Sequence, residues 1–212
     1  PVDIGFWKTL QKRDYKLNDV PVILYAGRIG LGIDTSLKLV AKAVQKVNEE
    51  HCLNMKFVLQ TKDKPNWIRE FNCVEHKGFV LYDELPKAFS EADILILPYD
   101  FSAQALKFIR YSMPTKATEY MITGTPVIVF APEQTAIVYD AIKHGWAKVV
   151  VQNDENSLAK TIVGLIGDED ARRTLSQKAI KHAEENHEAT LVRKRFRDML
   201  FSFLFPWASC PA

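Results

Sequence analysis

Cysteine is scarce in this chain: three in 212 residues, Cys52, Cys73 and Cys210, all far apart. They form no C-x-x-C pair, and no cysteine–histidine group has zinc-finger spacing. This excludes a disulfide-stapled scaffold and a sequence-local structural zinc site, and no metal ligand is expected. An odd, scattered set suits reduced thiols in a cytoplasmic protein. No apolar run reaches membrane-spanning length, and no signal-peptide pattern opens the chain. Charge of one sign is not in excess either. Twenty-eight Lys and Arg against 26 Asp and Glu leave a net charge of +2, without the strongly basic balance of a dedicated nucleic-acid binder. Internal repeats and low-complexity tracts are absent. The chain opens Pro1-Val2-Asp3 without a Met, which reads as an excised fragment or a processed terminus.

What is present is a chain that can fill a core, with 47% hydrophobic and 25% charged residues. Short apolar runs alternate with amphipathic segments. The runs at Val22–Tyr25, Met55–Leu59, within Val74–Leu81, Ile94–Leu97, Pro126–Phe130 and Lys148–Val151 read as strands. Between Asp34 and Glu50, Leu37, Val40, Ala41, Val44 and Val47 recur at helical spacing. Further helices are expected over Pro65–Phe71, Asp83–Glu91, Pro114–Ile122 and Gln134–Lys143. From Glu155 to about Leu204 the pattern is helical, with breaks near Gly167 and His187. The segment Tyr99–Tyr111 gives no clear pattern. Six apolar strands alternating with helices imply a Rossmann-like, three-layer α/β domain, with a six-stranded parallel sheet and further C-terminal helices. Such sheets bind ligands outside the carboxyl ends of their strands, so chemistry is sought there.

Two places qualify. The first strand runs into Gly27-Arg28-Ile29-Gly30-Leu31-Gly32 and then a helix. Gly27 and Gly30 allow close backbone approach, and a helix N-terminus favours an anion. The register does not fit a dinucleotide fingerprint, because Thr35 stands where the third glycine belongs. Arg28 can clamp a phosphate with two hydrogen bonds. The second place lies between the fourth and fifth strands: Ser112-Met113-Pro114-Thr115-Lys116-Ala117-Thr118-Glu119. Pro114 suits the first turn of a helix, with Ser112 as its cap. Lys116 puts a cation in the first helical turn, where it works against the helix dipole; this points to a phosphate partner. Glu119 follows three residues later on the same face, placed to accept hydrogen bonds from ribose hydroxyls. Both side chains are expected at the surface. Read alone, Lys116 and Glu119 are also compatible with a solvated i,i+3 pair.

This block resembles the donor-side signature of retaining glycosyltransferases with the GT-B fold. It is similar to the subgroup with Pro-Tyr after one strand, then Ser-x-Pro-x-Lys-x-x-Glu-Tyr-Met-x-x-Gly-x-Pro-Val. The matching residues are Pro98, Tyr99, Ser112, Pro114, Lys116, Glu119, Tyr120, Met121, Gly124, Pro126 and Val127. Weaker matches are Tyr25-Ala26-Gly27-Arg28, Gly78-Phe79-Val80, Ala92-Asp93 and Gly145. The resemblance implies one half of a GT-B enzyme. In that reading residues 1–19 are a linker or a remnant of an interdomain segment, 20–188 the donor domain, and 189–212 a crossing helix and tail. Arg28 and Lys116 would hold the diphosphate as leaving group, Ser112, Pro114 and Thr115 would form the phosphate turn, Glu119 would take the ribose, and Phe79 and Val80 the base. The donor would be a UDP- or GDP-linked sugar, used without a metal. The partner would be an N-terminal acceptor domain, and the acceptor a saccharide or lipid-linked molecule. Two departures stand out. Tyr111 occupies the place eight residues before Glu119 where many relatives carry a sugar-contacting Glu, and no Lys follows the Gly-Arg pair. These departures leave a nonenzymatic interaction domain as one alternative; a separate donor-binding subunit, serving an acceptor-binding partner protein, is the other.

Other features read as structural. Asp168-Glu169-Asp170 mimics a metal-binding Asp-x-Asp, but sits between two helices and suits a helix cap with first-turn acids. The five histidines are scattered in sequence, with no hydrolase-like motif beside them. Arg193-Lys194-Arg195-Phe196-Arg197, followed by an aromatic run to Trp207, fits the crossing helix of the resembled fold; the other reading is a helix on the inner membrane face.

Overall fold

The computed structural model describes residues 1–30 and 32–204. Leu31 of the glycine loop, the Phe205-Pro206-Trp207 end of the aromatic tail and Cys210 lie outside them. Among the described residues, β1 (Val22–Ala26), β2 (Lys56–Gln60), β3 (Val74–His76), β4 (Ile94–Pro98), β5 (Val127–Phe130) and β6 (Lys148–Val150) form one sheet. Its order is β3-β2-β1-β4-β5-β6, and every pairing is parallel. Central strands of such a sheet are covered on both faces, which is why they read as unbroken apolar runs. The order reverses between β1 and β4, so their carboxyl ends open a crevice.

The helices are α1 (Ile4–Lys8), α2 (Ile33–His51), α3 (Leu85–Glu91), α4 (Ala103–Ile109), α5 (Thr115–Thr123), α6 (Ala136–His144), α7 (Glu155–Ile166), α8 (Glu169–Asn186) and α9 (Ala189–Leu204). Alternation along β1 divides the core. Ile23 and Tyr25 join Val40 and Val44 of α2 and Ile162 of α7, while Leu24 and Ala26 join Tyr120 and Met121 of α5 and Ala179 of α8. Residues 1–19 pack on this second side. Trp7 is fully buried, stacked on Phe89 at 5.6 Å, and Lys12 Nζ donates to the Ala92 carbonyl at 2.8 Å.

Several local expectations change. The cap of α5 is Pro114, in extended conformation and without a side-chain bond, so Ser112 lies outside the helix with its own N–H on the Ile109 carbonyl. The turn after Pro65 is a 3-10 helix, Asn66–Glu70, with Pro65 preceding it. Tyr99–Tyr111 contains α4, started by the Ser102 side chain, which accepts from the Ala105 N–H. Asp168 does cap α8, accepting from the Ala171 N–H at 2.8 Å. Helix α9 buries none of its residues and exposes Phe196, Met199, Leu200, Phe203 and Leu204. No helix of the described residues is long and apolar enough to cross a membrane.

Candidate functional site

The site is built where β1 ends beside the start of α5. The buried Tyr120 hydroxyl accepts a hydrogen bond from the Ala26 N–H at 3.2 Å, joining the helix to the strand end. One turn earlier on α5, Lys116 reaches over the Tyr25 ring, its ammonium 4.2 Å from the centroid. The Tyr25 hydroxyl in turn donates to the Arg28 carbonyl at 2.7 Å and shapes the following loop. Gly27 has φ +146°, and a Cβ there would collide with the Lys116 ammonium. Glycine is therefore required twice over, by conformation and by close approach.

A cavity of about 250 Å³ opens at this point, bounded by Gly27, Gln60, Phe79, Val80, Lys116 and Glu119, with Tyr82, Leu85 and Phe89 behind. A second, of about 190 Å³, is lined by Tyr25, Tyr99, Ser112 and Pro114 and shares Lys116. The Lys116 side chain thus stands at the junction of two recesses. No side chain caps α5; its Ala117 N–H turns back on the Pro114 carbonyl at 3.0 Å.

Lys116 and Glu119 are half-buried rather than surface-lying. Burial pulls the Lys116 ammonium down from its ordinary 10.5 to about 8, against the opposing pull of Glu119. Burial likewise pushes the Glu119 carboxyl up, with Lys116 resisting. Among the described residues no ion pair within 4.0 Å joins them. This is not a solvated surface pair. A cation resting on the Tyr25 ring and a carboxylate, each partly stripped of water and joined by no ion pair, face the same cavity; an anion and hydroxyl donors would relieve both. The Gln60 carboxamide oxygen, also on this cavity, is buried without a hydrogen-bond partner.

Of the residues singled out in the sequence, Gly27, Phe79, Val80, Lys116 and Glu119 come together on the first cavity, and Ser112 and Pro114 on the second. Thr115 is exposed as the first residue of α5. Arg28 is exposed on the loop and lines neither recess. Gly30 is exposed too, and a Cβ there would meet nothing within 4 Å. The conformational demand in this loop falls instead on Gly32, at φ +80° with the Asp100 carboxylate against it. Gln60 and Tyr82 are lining residues that the sequence reading misses, while Tyr25, part of the Tyr25-Ala26-Gly27-Arg28 match, takes a place directly under Lys116. Of the missed pair, only Gln60 carried a usable signal, as the last residue of β2 at the carboxyl edge where such sheets place ligands.

Residues 20–168 match the family model described as glycosyl transferases group 1. Among solved structures, the chain is similar to sucrose-phosphate synthase from Thermosynechococcus elongatus, with TM-score 0.70 and 19% identity over 97% of this chain and 51% of that one. A glycosyltransferase from Rickettsia africae gives TM-score 0.70 and 14% identity, over 96% of this chain and 55% of that one. Anabaena HepE, solved in complex with UDP and glucose, gives TM-score 0.67 and 14% identity, over 95% and 55%. The likeness is one of fold, a Rossmann-like domain matching those of GT-B glycosyltransferases. The chain spans about half the length of each of these structures.

Proposed function

The chain belongs to the glycosyl transferases group 1 family, and on that footing we propose that it is the donor domain of a glycosyltransferase, binding a nucleoside-diphosphate sugar between Gly27, Lys116 and Glu119. The observation that carries this reading is the half-buried, unpaired Lys116–Glu119 couple on one cavity at the carboxyl edge of the sheet. The diphosphate lies against Gly27, the open first turn of α5 and the Lys116 ammonium. Ribose hydroxyls donate to Glu119. The base lies by the Phe79-Val80 loop, where Phe79 is 74% exposed and available for contact.

Catalysis needs fixed positive charge where the departing diphosphate develops its own. Lys116 supplies it from within the cavity; Arg28, exposed on the neighbouring loop and outside both recesses, would join it by turning its side chain inward on binding. These two cations take the role a metal plays in other transferases, so the reaction is read as metal-independent and, from the signature it resembles, retaining. The UDP in the Anabaena structure supports a UDP-linked donor, with GDP as the other candidate. The acceptor, a saccharide or lipid-linked molecule, belongs to a second domain. The exposed apolar face of α9 suits that domain, and the chain alone is then inactive in transfer. The scattered thiols suit a cytoplasmic enzyme, one that works at the inner face of the membrane when its acceptor is lipid-linked.

The ribose assignment is tested by comparing UDP with 2′,3′-dideoxy-UDP. Wild type should favour UDP by about 1–3 kcal/mol, the scale of hydrogen bonds to a charged group. Glu119→Ala should bind both alike. Undiminished discrimination in Glu119→Ala would remove Glu119 from the site.

A further inference from the structure

Three of the five histidines, dispersed in the sequence, converge at a point the donor site does not use. Helix α6 leaves the carboxyl edge of β5 and must run back across the sheet before the parallel β6 begins, so its end lies at the opposite edge. There His144 closes α6, His182 lies in the last two turns of α8, and His187 caps that helix. Asp140, one turn before His144, faces them. His182 Nε2 is 3.1 Å from Asp140 Oδ2, and His144 Nε2 is 3.7 Å from Asp140 Oδ1. The His144 and His182 rings stack at 4.0 Å, and the His187 ring meets His182 edge-on at 5.1 Å.

One donor atom from each of Asp140, His182 and His187 lies within 4.8 Å of the other two. The ensemble is sheltered but reachable: His182 is 6% exposed, the Asp140 side chain 25% and the His144 side chain 34%. His187 Nε2 is buried with no hydrogen-bond partner. Its unpartnered ring nitrogen is therefore the one ligand atom of the group that no hydrogen bond occupies. The Trp146 indole N–H donates to Asp140 Oδ2 at 2.8 Å, and the Asn186 amide lies 3.2 Å from His182 Nδ1. These are the outer partners that orient ligands in a metal site.

We propose that Asp140, His182 and His187 bind a divalent transition-metal ion of the zinc class, with His144 stacked on the His182 ring as its outer support. Two imidazoles and one carboxylate are a donor set suited to zinc, with the fourth position left to water. Bonds of about 2.0–2.1 Å in a tetrahedral site space the ligands roughly 3.3 Å apart. The His182–Asp140 separation already meets this; the His187 ring closes the remainder by rotating inward. With an ion on His182 Nε2 its proton moves to Nδ1, and the Asn186 amide turns its oxygen to accept it. The role is a clasp rather than a reaction centre. His187 also accepts the Val2 N–H on its carbonyl at 2.7 Å, and α9 starts two residues later, so the ion fixes where the chain enters and leaves the domain.

The test is calorimetric titration of the whole chain with Zn²⁺ alone, in a Cys52→Ser, Cys210→Ser background that silences two thiols, paired with the visible absorption of the Co²⁺ form. One ion per chain and a cobalt spectrum characteristic of imidazole ligation are expected. His187→Phe keeps the ring and removes the nitrogen; it should weaken Zn²⁺ binding by more than the roughly 10–100-fold that loss of an outer partner costs and abolish the cobalt spectrum. Its melting without metal should barely change. His51→Ala, on an exposed residue, should bind as wild type does. No Zn²⁺ binding, or binding that survives His187→Phe, overturns the site and leaves a hydrogen-bonded network between two helices.

Discussion

Lys116→Met separates the folding role of this residue from its binding role. The substitution keeps the length of the side chain and deletes its charge. In the folded chain the ammonium titrates at about 8 against an ordinary 10.5. That gap of roughly 2.5 pH units corresponds to at most about 3 kcal/mol. The folded value lies below the unfolded one, so the charged form opposes folding. The penalty is complete below about pH 8 and vanishes as the pH rises toward 10.5. Lys116→Met should therefore be more stable than wild type at neutral pH, by up to this amount, and the advantage should shrink in alkali. Binding should move the other way. A diphosphate holds the ammonium in its protonated form, so wild-type affinity for UDP should be level up to about pH 8 and then fall by about tenfold per pH unit. The terminal phosphate does not contribute to that fall, since it has lost its last proton by about pH 6–7; the uracil imide ionises only at more alkaline pH, in wild type and variant alike, so the Lys116 limb is read just above pH 8. Lys116→Met should bind UDP more weakly by about 1–3 kcal/mol and without the alkaline limb. Urea denaturation and calorimetry, both run as pH series, read the two quantities. A Lys116→Met chain less stable than wild type at neutral pH, or with the same alkaline limb, would refute the reasoning.

Gly27→Ala sets a Cβ against the Lys116 ammonium at an unfavourable φ, and should lower stability by about 1–3 kcal/mol while weakening UDP binding; thermal melts and titrations check both. Tyr120→Phe leaves the buried Ala26 N–H without its acceptor and should cost about 1–3 kcal/mol in urea denaturation. Phe79→Ala, at a 74% exposed residue, should leave melting unchanged and weaken nucleotide binding. The pair Phe196→Ser and Phe203→Ser on α9 removes exposed rings, so stability should stay within about 0.5 kcal/mol of wild type for each.

Legibility in the sequence followed the range of the interaction involved. The strands were readable because both faces of a parallel sheet are buried, so Ile94–Leu97 and Val127–Phe130 appear as unbroken apolar runs. The extent of α5 was readable from Pro114 and Gly124, since a proline ahead of a helix and a left-handed glycine after it are local requirements. Its cap was misassigned to Ser112, because a serine before a proline looks like a cap whether or not the backbone turns in time. Lys116 and Glu119 stood out through charge placement on one helix. Their burial did not, because it arises from Tyr25 and from the Phe79–Leu85 region, distant in sequence and brought near by the crossover between β1 and β4. The histidine cluster was invisible for the same reason: positions 144, 182 and 187 share no local period, and only the packing of α6 beside the end of α8 joins them.

The account turns on a nucleoside diphosphate being held at the end of α5, and calorimetric titration of the folded chain with UDP and with GDP measures that directly. The account predicts saturable one-to-one binding of at least one of them, lost or much weakened in Lys116→Met and Glu119→Ala. Absence of heat with either nucleotide, or affinity untouched by both substitutions, would contradict it.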